Sequence, residues 1–310
     1  MNHPDSQKPA CVGIGMFLYN EERYVGEAIE SLLVQSYADF ELIVLDDCST
    51  DRTPAIVESF ASKDPRIRFF RNDRRMGYGA NYLRTFAYAR SDHQYWAWAA
   101  GHDHHGSQWL EKMVEALNAN PDAVLAYPLT VRISETGARY ANYPSPRFQT
   151  LGLDVRSRIK ALRESHYRMG DMIYGLFRVD ALKQAGVFPQ FLLPDVFLIW
   201  KLAQYGTFIL VPEELWFRRF VGLFSVRRQR RVMFGRAPWY AYLPWPMVNT
   251  VALLVSALRT GALQSMGDGT RLSAAYFSRY WPYVILSSPL LGRVAGKVLQ
   301  FFRKPGSTDN

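Results

Sequence analysis

The sequence predicts an α/β domain of Rossmann-like design, with a mostly parallel central sheet flanked by helices, followed by a helical appendage of different character. Three features carry that expectation. Strand-like and helix-like runs alternate through the first two hundred residues. Polar clusters follow the ends of three strand-like runs. After Arg219 the chain turns basic and rich in aromatic residues.

The first run, 11–18 (CVGIGMFL), carries no charge, as a strand covered on both faces requires. Val25, Ile29, Leu32 and Leu33 then recur at helical spacing within 21–35. A second strand is expected from Phe40 to Leu45. Thr53 reads as an N-cap with Pro54 at the first helical position, opening a helix to Ala61. A third strand covers 67–70, a helix 80–89 and a fourth strand 95–99. A helix over 108–117 and a strand over 123–127 complete the series. Repeated β-α units of this length call for right-handed crossovers and a parallel sheet. Residues 129–170 are expected to hold a hairpin and a helix near 153–166. Beyond them, 173–178 reads as a strand, 195–205 as a helix packed by Val196, Ile199, Trp200 and Leu202, and 208–211 as a further strand.

The 310 residues are 48% hydrophobic and 15% aromatic, enough for a sizeable core, which excludes wholesale disorder. Cys11 and Cys48 do not make a disulfide framework and suit a reducing compartment. The opening MNHPDSQKPA lacks the basic head and apolar stretch of a secretory signal, so a cytoplasmic location is expected. The net charge of +9 is uneven. From Leu215 onward there are fourteen Lys/Arg against Asp268 and Asp309, whereas the first 214 residues hold 23 basic and 26 acidic residues. The tail therefore calls for an anionic partner. Nucleic acid is excluded from the expectation, because no recognition motif or stacking platform accompanies the charge.

A basic cluster, RRQRR at 227–231, precedes 22 uncharged residues from Ala237 to Leu258. Pro244 and Pro246 divide that run, and its unbroken part from Met247 would span only about 18 Å as a helix. A second apolar stretch, 280–292, is interrupted by Pro282 and Pro289. Both read as in-plane or re-entrant segments on the cytoplasmic face of a membrane, peripheral or shallowly inserted. The expected organisation is an α/β domain over 1–219 and a membrane-docking region over 220–310. The aromatic run Trp239, Tyr240, Tyr242 and Trp245 would also suit a homo-oligomer interface, the competing account.

Parallel sheets bind ligands in the crevice at their carboxyl edge. The first strand ends in Tyr19-Asn20-Glu21-Glu22, the second in Asp46-Asp47-Cys48-Ser49-Thr50-Asp51, the fourth in Gly101-His102-Asp103-His104-His105. A tyrosine face can stack on a nucleobase and a carboxylate can accept its ring N–H. A further carboxylate can hold a divalent cation against a diphosphate.

The run LYNEERYVGEAIESLLVQSYADFELIVLDDCSTDRT resembles the opening of a family 2 glycosyltransferase with the GT-A fold. The likeness continues through RIRFFRNDRRMGYGANYLRTFAYAR, YWAWAAGHDHHGSQWLEKMV, IYGLFRVDALKQAGVF and LPDVFLIWKLAQYG, covering roughly 11–220. It implies transfer of a sugar from a nucleoside diphosphate to an acceptor hydroxyl, with inversion. Tyr19 would line the base pocket beside the backbone of Phe17 and Leu18, with Asn20 and Glu21 following. Asp47 would hydrogen-bond the base, most often uracil, and Asp46 would support its turn. Gly77 and Asn81 stand where the family's next segment has them. The metal motif falls on His102-Asp103-His104, a set for Mn²⁺ or Mg²⁺, and Asp195 takes the place of the catalytic base. The acceptor would be a glycan or a lipid-linked carrier.

This chain departs from the family in having one acid among three histidines at the metal motif; histidine suits Mn²⁺ better than Mg²⁺. It also lacks the Q-x-x-R-W motif of processive synthases, since Gln229 is followed by RRVMF, which favours single addition. A non-catalytic nucleotide-sugar binder is one alternative and a nucleotidyltransferase another; the latter lacks its glycine-rich phosphate loop. Taken singly, Asp46, Asp47 and Asp195 would read as helix caps, Tyr19 as packing, and His93 and His166 as ordinary surface or core residues. The histidine cluster lacks the second Cys/His pair of a structural zinc site. Gly13-Ile14-Gly15 lies inside a strand and lacks the third glycine of a dinucleotide fingerprint.

Overall fold

The computed structural model describes residues 11–140, 145, 147–165, 169–190, 192–220, 229–230, 233–234, 238–260 and 266–287. His166, Arg227, Arg228, Arg231 and the end of the second apolar stretch (288–292) lie outside the described residues. Two compact units divide at Pro238–Trp239.

The first unit is built on strands β1 (Val12–Leu18), β2 (Phe40–Asp46), β3 (Ile67–Arg71), β4 (Tyr95–Ala100), β5 (His104–His105), β6 (Ala123–Ile133), β7 (Leu176–Arg178) and β8 (Thr207–Arg219). They form one sheet in the order β3-β2-β1-β4-β7-β6-β8-β5. Helices α1 (Val25–Leu33), α2 (Thr53–Ala61), α3 (Tyr78–Ala87), α4 (Trp109–Ala119), α5 (Val155–Glu164), α6 (Val179–Ala185) and α7 (Pro194–Leu202) connect or flank them, with a 3₁₀ turn at Met169–Tyr174.

The core shows why the strands read as uncharged runs. Val12, Ile14, Met16 and Leu18 alternate along β1 onto one face and join α1 and α4 through Ile29, Leu32, Trp109 and Met113. The other face of β1 offers Gly13 and Gly15 because the Trp96 indole lies there. A Cβ at either glycine would come within 2.6 Å of that ring, so the pair makes room for packing and not for a dinucleotide.

The sheet is mixed: six of its eight strands run in one direction, and β7 and β5 run against them. β3, β2, β1 and β4 run parallel, as do β6 and β8. β7 enters antiparallel between β4 and β6, and β5 pairs antiparallel with β8. The β4-α4-β6 crossover therefore skips a position, which a later segment fills. The expected strand over 173–178 shortens to β7 because the 3₁₀ turn takes its first half. Conversely, β6 and β8 outrun their expected ends at Tyr127 and Val211. Pro128 and Pro212 stand just past those ends, where the register shifts: Val211 lies opposite Pro128 and Glu214 opposite Leu129, so Pro212 and Glu213 are extra residues on β8. Such an irregularity on β8 tolerates Pro212 where a regular ladder would not. Thr53 is no N-cap: Arg52 holds that position, and the Thr53 hydroxyl instead accepts the Glu21 N–H at 2.8 Å.

The second unit holds a 3₁₀ turn at Trp239–Tyr242 and two helices, α8 (Trp245–Thr260) and α9 (Met266–Ser287). Pro246 sits in the first turn of α8, where proline lacks nothing the helix needs. α9 continues through Pro282 instead of breaking there. Among the described residues, no helix is long and apolar enough to cross a membrane.

Gly175, just before β7, tests the inserted strand. A Cβ there would stand 2.4 Å from the Ala126 carbonyl oxygen, which is backbone and cannot yield cheaply. Gly175→Ala should lower stability by about 1–3 kcal/mol in a urea titration, the usual cost of overpacking.

Candidate active site

Two loops at the carboxyl edge are laced to each other by side chains. The Asn20 N–H donates to Ser49 Oγ at 2.9 Å, and Asn20 Oδ1 accepts from the Thr50 N–H at 2.9 Å. Glu22 Oε2 accepts from the Arg52 N–H, while Asp51 Oδ2 accepts from the Glu22 N–H. Asn20 takes a left-handed φ of 55° and Cys48 one of 64° to make these turns. Asp46 is fully buried, with Oδ2 accepting from the Ser49 N–H at 3.0 Å and from Arg71 Nε at 3.1 Å.

The neighbouring Asp47 carboxylate holds the loop that follows β3. Its Oδ1 accepts from Asn72 Nδ2 at 2.9 Å and from the Met76 N–H at 2.7 Å, and its Oδ2 from the Gly77 N–H at 2.9 Å. Asn72 also donates to Asn81 Oδ1 at 2.9 Å. Gly77 stands at φ 85°, ψ 167°, a conformation reserved for glycine, and starts α3. Between the anchored ends, Arg75 lays its guanidinium 3.7 Å from the centre of the Tyr19 ring. Phe17 meets Tyr78 at 4.7 Å and Tyr82 at 4.6 Å. A cavity of about 320 Å³ opens beside this loop, lined by Asn72, Asp73, Arg74, Met76 and Arg84.

Asp103 is buried at the end of β4. Its Oδ2 accepts from Trp216 Nε1 at 3.1 Å and its Oδ1 from the Arg219 N–H at 2.9 Å. Burial pushes this carboxyl above its ordinary value, against the pull of His102, Arg218 and the two hydrogen bonds. His102 Nδ1 lies 3.0 Å from Glu21 Oε1. Burial opposes charge on that ring, but the Glu21 hydrogen bond and the nearby carboxylates outweigh it and keep the pKa raised. His104 sits on β5 with its ring against Phe217 and Nδ1 4.0 Å from Glu27 Oε1. His105 is buried against Trp109, and burial with the neighbouring His104 pushes its pKa down to about 3.

Asp195 enters at the first turn of α7, after Leu193 bends the chain at a left-handed φ of 54°. Its Oδ2 occupies the space that a Cβ on Gly170 would need. Its Oδ1 is buried and has no hydrogen-bond partner among the described residues. Burial raises the pKa, partly offset by the backbone N–H of Val196 and by Arg218. Arg218 thus influences both Asp103 and Asp195. It pairs with Asp171, which Arg132 grips from the other side at 2.5 Å. Tyr174 stacks on Trp216 at 4.7 Å and meets the hydroxyl of Tyr82 at 3.2 Å.

A family model described as glycosyl transferase family 2 matches residues 14–183, more than half of the chain. The chain belongs to glycosyl transferase family 2. An uncharacterized glycosyltransferase of Methanocaldococcus jannaschii is 34% identical over 135 residues, which cover 43% of this chain and 46% of that protein. The chain spans about half the length of the curated relatives it matches. Residues 1–349 of S. aureus TarS, solved in complex with UDP-GlcNAc, align with a TM-score of 0.62 at 16% identity, covering 88% of this chain and 73% of that one. The mannosyltransferase PcManGT from Pyrobaculum calidifontis, solved with GDP-Man and Mn2+, aligns at 0.53 and 17% identity, covering 92% and 90%. These likenesses show a GT-A-like α/β fold.

For this family 2 chain, Tyr19, Asn20, Glu21, Asp46, Asp47, Gly77 and Asn81 gather around the β1 and β2 ends, and His102 joins them through Glu21. His104 faces the β8 strand instead. The group of three potential metal ligands found among the described residues is Cys11, Asp92 and His93, at the amino edge of the sheet. There His93 Nδ1 accepts from the Arg90 N–H at 3.2 Å, which leaves the proton on Nε2 and no lone pair for a metal, while Asp92 is held by Arg90. At the carboxyl edge the chemistry fits better. With Nδ1–H turned to Glu21, the lone pair of a neutral His102 ring lies on Nε2, and each Asp103 oxygen keeps a second lone pair. Sequence reasoning missed Asp171, Tyr174, Trp216, Arg218 and Arg219. The Arg218-Arg219 pair was visible, but it fell at the change of composition and read as the start of the basic tail.

Asp47→Ala would free three donors of one loop at once. It should lower stability by about 1.5–3 kcal/mol, the range for hydrogen bonds to a charged acceptor. Calorimetric affinity for nucleoside diphosphates should fall with it; an unchanged affinity would move the base pocket elsewhere.

Proposed function

We propose that this chain is an inverting glycosyltransferase that moves one sugar from a nucleoside diphosphate, most often UDP in the family it resembles, to an acceptor hydroxyl. The observation that carries the reading is Asp195: a buried carboxylate with one oxygen unpartnered and its pKa raised, at the position of the family's base. An unpaired buried carboxylate is costly unless a ligand completes it.

The donor base would rest against Tyr19, with the Asp47 turn behind it and the backbone of Phe17 and Leu18 beside it. Asp195 Oδ1 would accept the proton of the acceptor hydroxyl as that oxygen bonds to the anomeric carbon. The bond from that carbon to the diphosphate oxygen breaks on the opposite side, so the configuration inverts. Arg218, fixed by Asp171, offers a permanent positive charge to the diphosphate. Asp103 and His102 Nε2 would hold a divalent cation, Mn²⁺ or Mg²⁺, which when bound supplies further charge against the leaving group. The acceptor is a glycan or a lipid-linked carrier, a class suited to the composition of residues 220–310.

The test is release of nucleoside diphosphate from a panel of UDP- and GDP-sugars, with and without Mn²⁺ and acceptor. Binding without any transfer or hydrolysis would favour the non-catalytic nucleotide-sugar binder. Asp195→Asn keeps the shape but cannot take a proton. Transfer should fall by a factor of about 10²–10⁴ with donor affinity preserved; near-normal turnover would place the base elsewhere.

Asp195 must be ionised to act, so activity should fall as pH drops through its raised pKa, above the ordinary value of about 3.9. Arg218 lowers that pKa. Arg218→Gln should therefore move the acid limb of kcat/KM to higher pH, in addition to lowering its plateau. An unmoved limb would separate Arg218 from the base.

A further inference from the structure

The second unit presents an apolar surface that its own helices do not cover. α8 packs inward through Asn249 and Leu253, and α9 through Leu272, Ala275 and Tyr276. Asn249 Nδ2 donates to the Tyr276 hydroxyl at 2.9 Å, and Trp245 meets Tyr276 and Tyr280. The opposite face of α8 carries Met247, Val251 and Val255, spaced by four residues and 45%, 59% and 39% exposed. Trp239, Tyr242 and Leu243 precede them, 76%, 66% and 40% exposed. Among the described residues, six of the twelve large exposed apolar side chains fall within these 17 positions, so the patch is concentrated and not scattered.

We propose that this face of 239–255 docks on an anionic lipid surface. Three arguments select lipid as the occupant. From Trp239 onward the sequence holds seven Lys/Arg against two Asp, while no charged residue stands between Ala237 and Leu258. An apolar strip within a cationic segment complements anionic headgroups over acyl chains. A second copy of the chain would instead bring two segments of the same sign together across a symmetric contact. Trp and Tyr at one end of the strip suit the headgroup zone, where a ring is buried and a polar tip stays wet. α8, at 16 residues, is about 24 Å long, which suits an in-plane helix better than a span. The inference goes beyond the reaction proposed above and does not depend on it.

The experiment is co-flotation of the full chain with vesicles of phosphatidylcholine and phosphatidylglycerol in equal parts, and with phosphatidylcholine alone, at low and high salt. Binding should be confined to the anionic vesicles and weaken with salt. Met247→Gln, Val251→Gln and Val255→Gln together, all at exposed positions, should cut the partition coefficient at least about tenfold. The variant's circular dichroism and nucleotide affinity should stay unchanged, which separates lost docking from lost folding. A wild-type chain that ignores anionic vesicles overturns the proposal, as does equal binding by the triple variant. A concentration-dependent dimer that the triple variant converts to monomer also overturns it, and makes the strip an interface between copies.

Discussion

The carboxyl edge of the sheet depends on one buried charge. Asp47 is almost wholly removed from water, so its lone pairs must be met inside the protein. Asn72, Met76 and Gly77 meet them, and they all come from one loop. The side chain that could read a base is thereby also the peg on which the neighbouring wall hangs. That wall sets Arg75 over Tyr19 and starts α3, whose Tyr78 and Tyr82 close around Phe17. In the proposed reading, binding and stability share this residue.

The acids of the site divide by how far they are satisfied. Asp46, Asp47, Asp103 and Asp171 all accept hydrogen bonds or ion pairs from named donors and act as fixed points. Asp195 keeps a buried Oδ1 without a partner among the described residues, and burial disfavours its charge; Asp46 Oδ1 is also unpartnered, but its Oδ2 is held by Arg71 and the Ser49 N–H. Arg218 stands between the two groups, anchored by Asp171 and acting on Asp195.

The sequence made the parallel half of the sheet legible because period-2 and period-3.6 patterns there coincide with burial. Its loops were legible because Tyr19-Asn20-Glu21 and Asp46-Asp47 carry a resemblance. The antiparallel insertion of β7 was hidden, since three residues flanked by a 3₁₀ turn give no periodic signal. β6 and β8 continue past Pro128 and Pro212 for a reason visible only in the pair: β8 carries extra residues at Pro212 and Glu213, which take that proline out of the ladder. His102, Asp103 and His104 looked like one ligand set in sequence, yet β5 carries His104 toward Phe217. Arg218 and Arg219 stayed hidden because charge counting merges an ion-paired arginine with a solvated one.

Arg219 ends β8 and reaches back across the domain. Its backbone N–H serves Asp103, while its guanidinium donates to the His102 carbonyl, the Glu135 carbonyl and Glu27 Oε2, the last 192 positions earlier in the chain. During synthesis the N-terminal strands emerge first and can pair at once, but Asp103 stays without two of its donors until residues 216–219 have left the ribosome. At about 5–20 residues per second, roughly 6–23 seconds separate the emergence of Asp103 from that of Arg219. The nascent chain therefore carries a formed half-sheet with an open edge through much of its translation, a window in which chaperone binding or premature strand pairing would compete with completion of the fold.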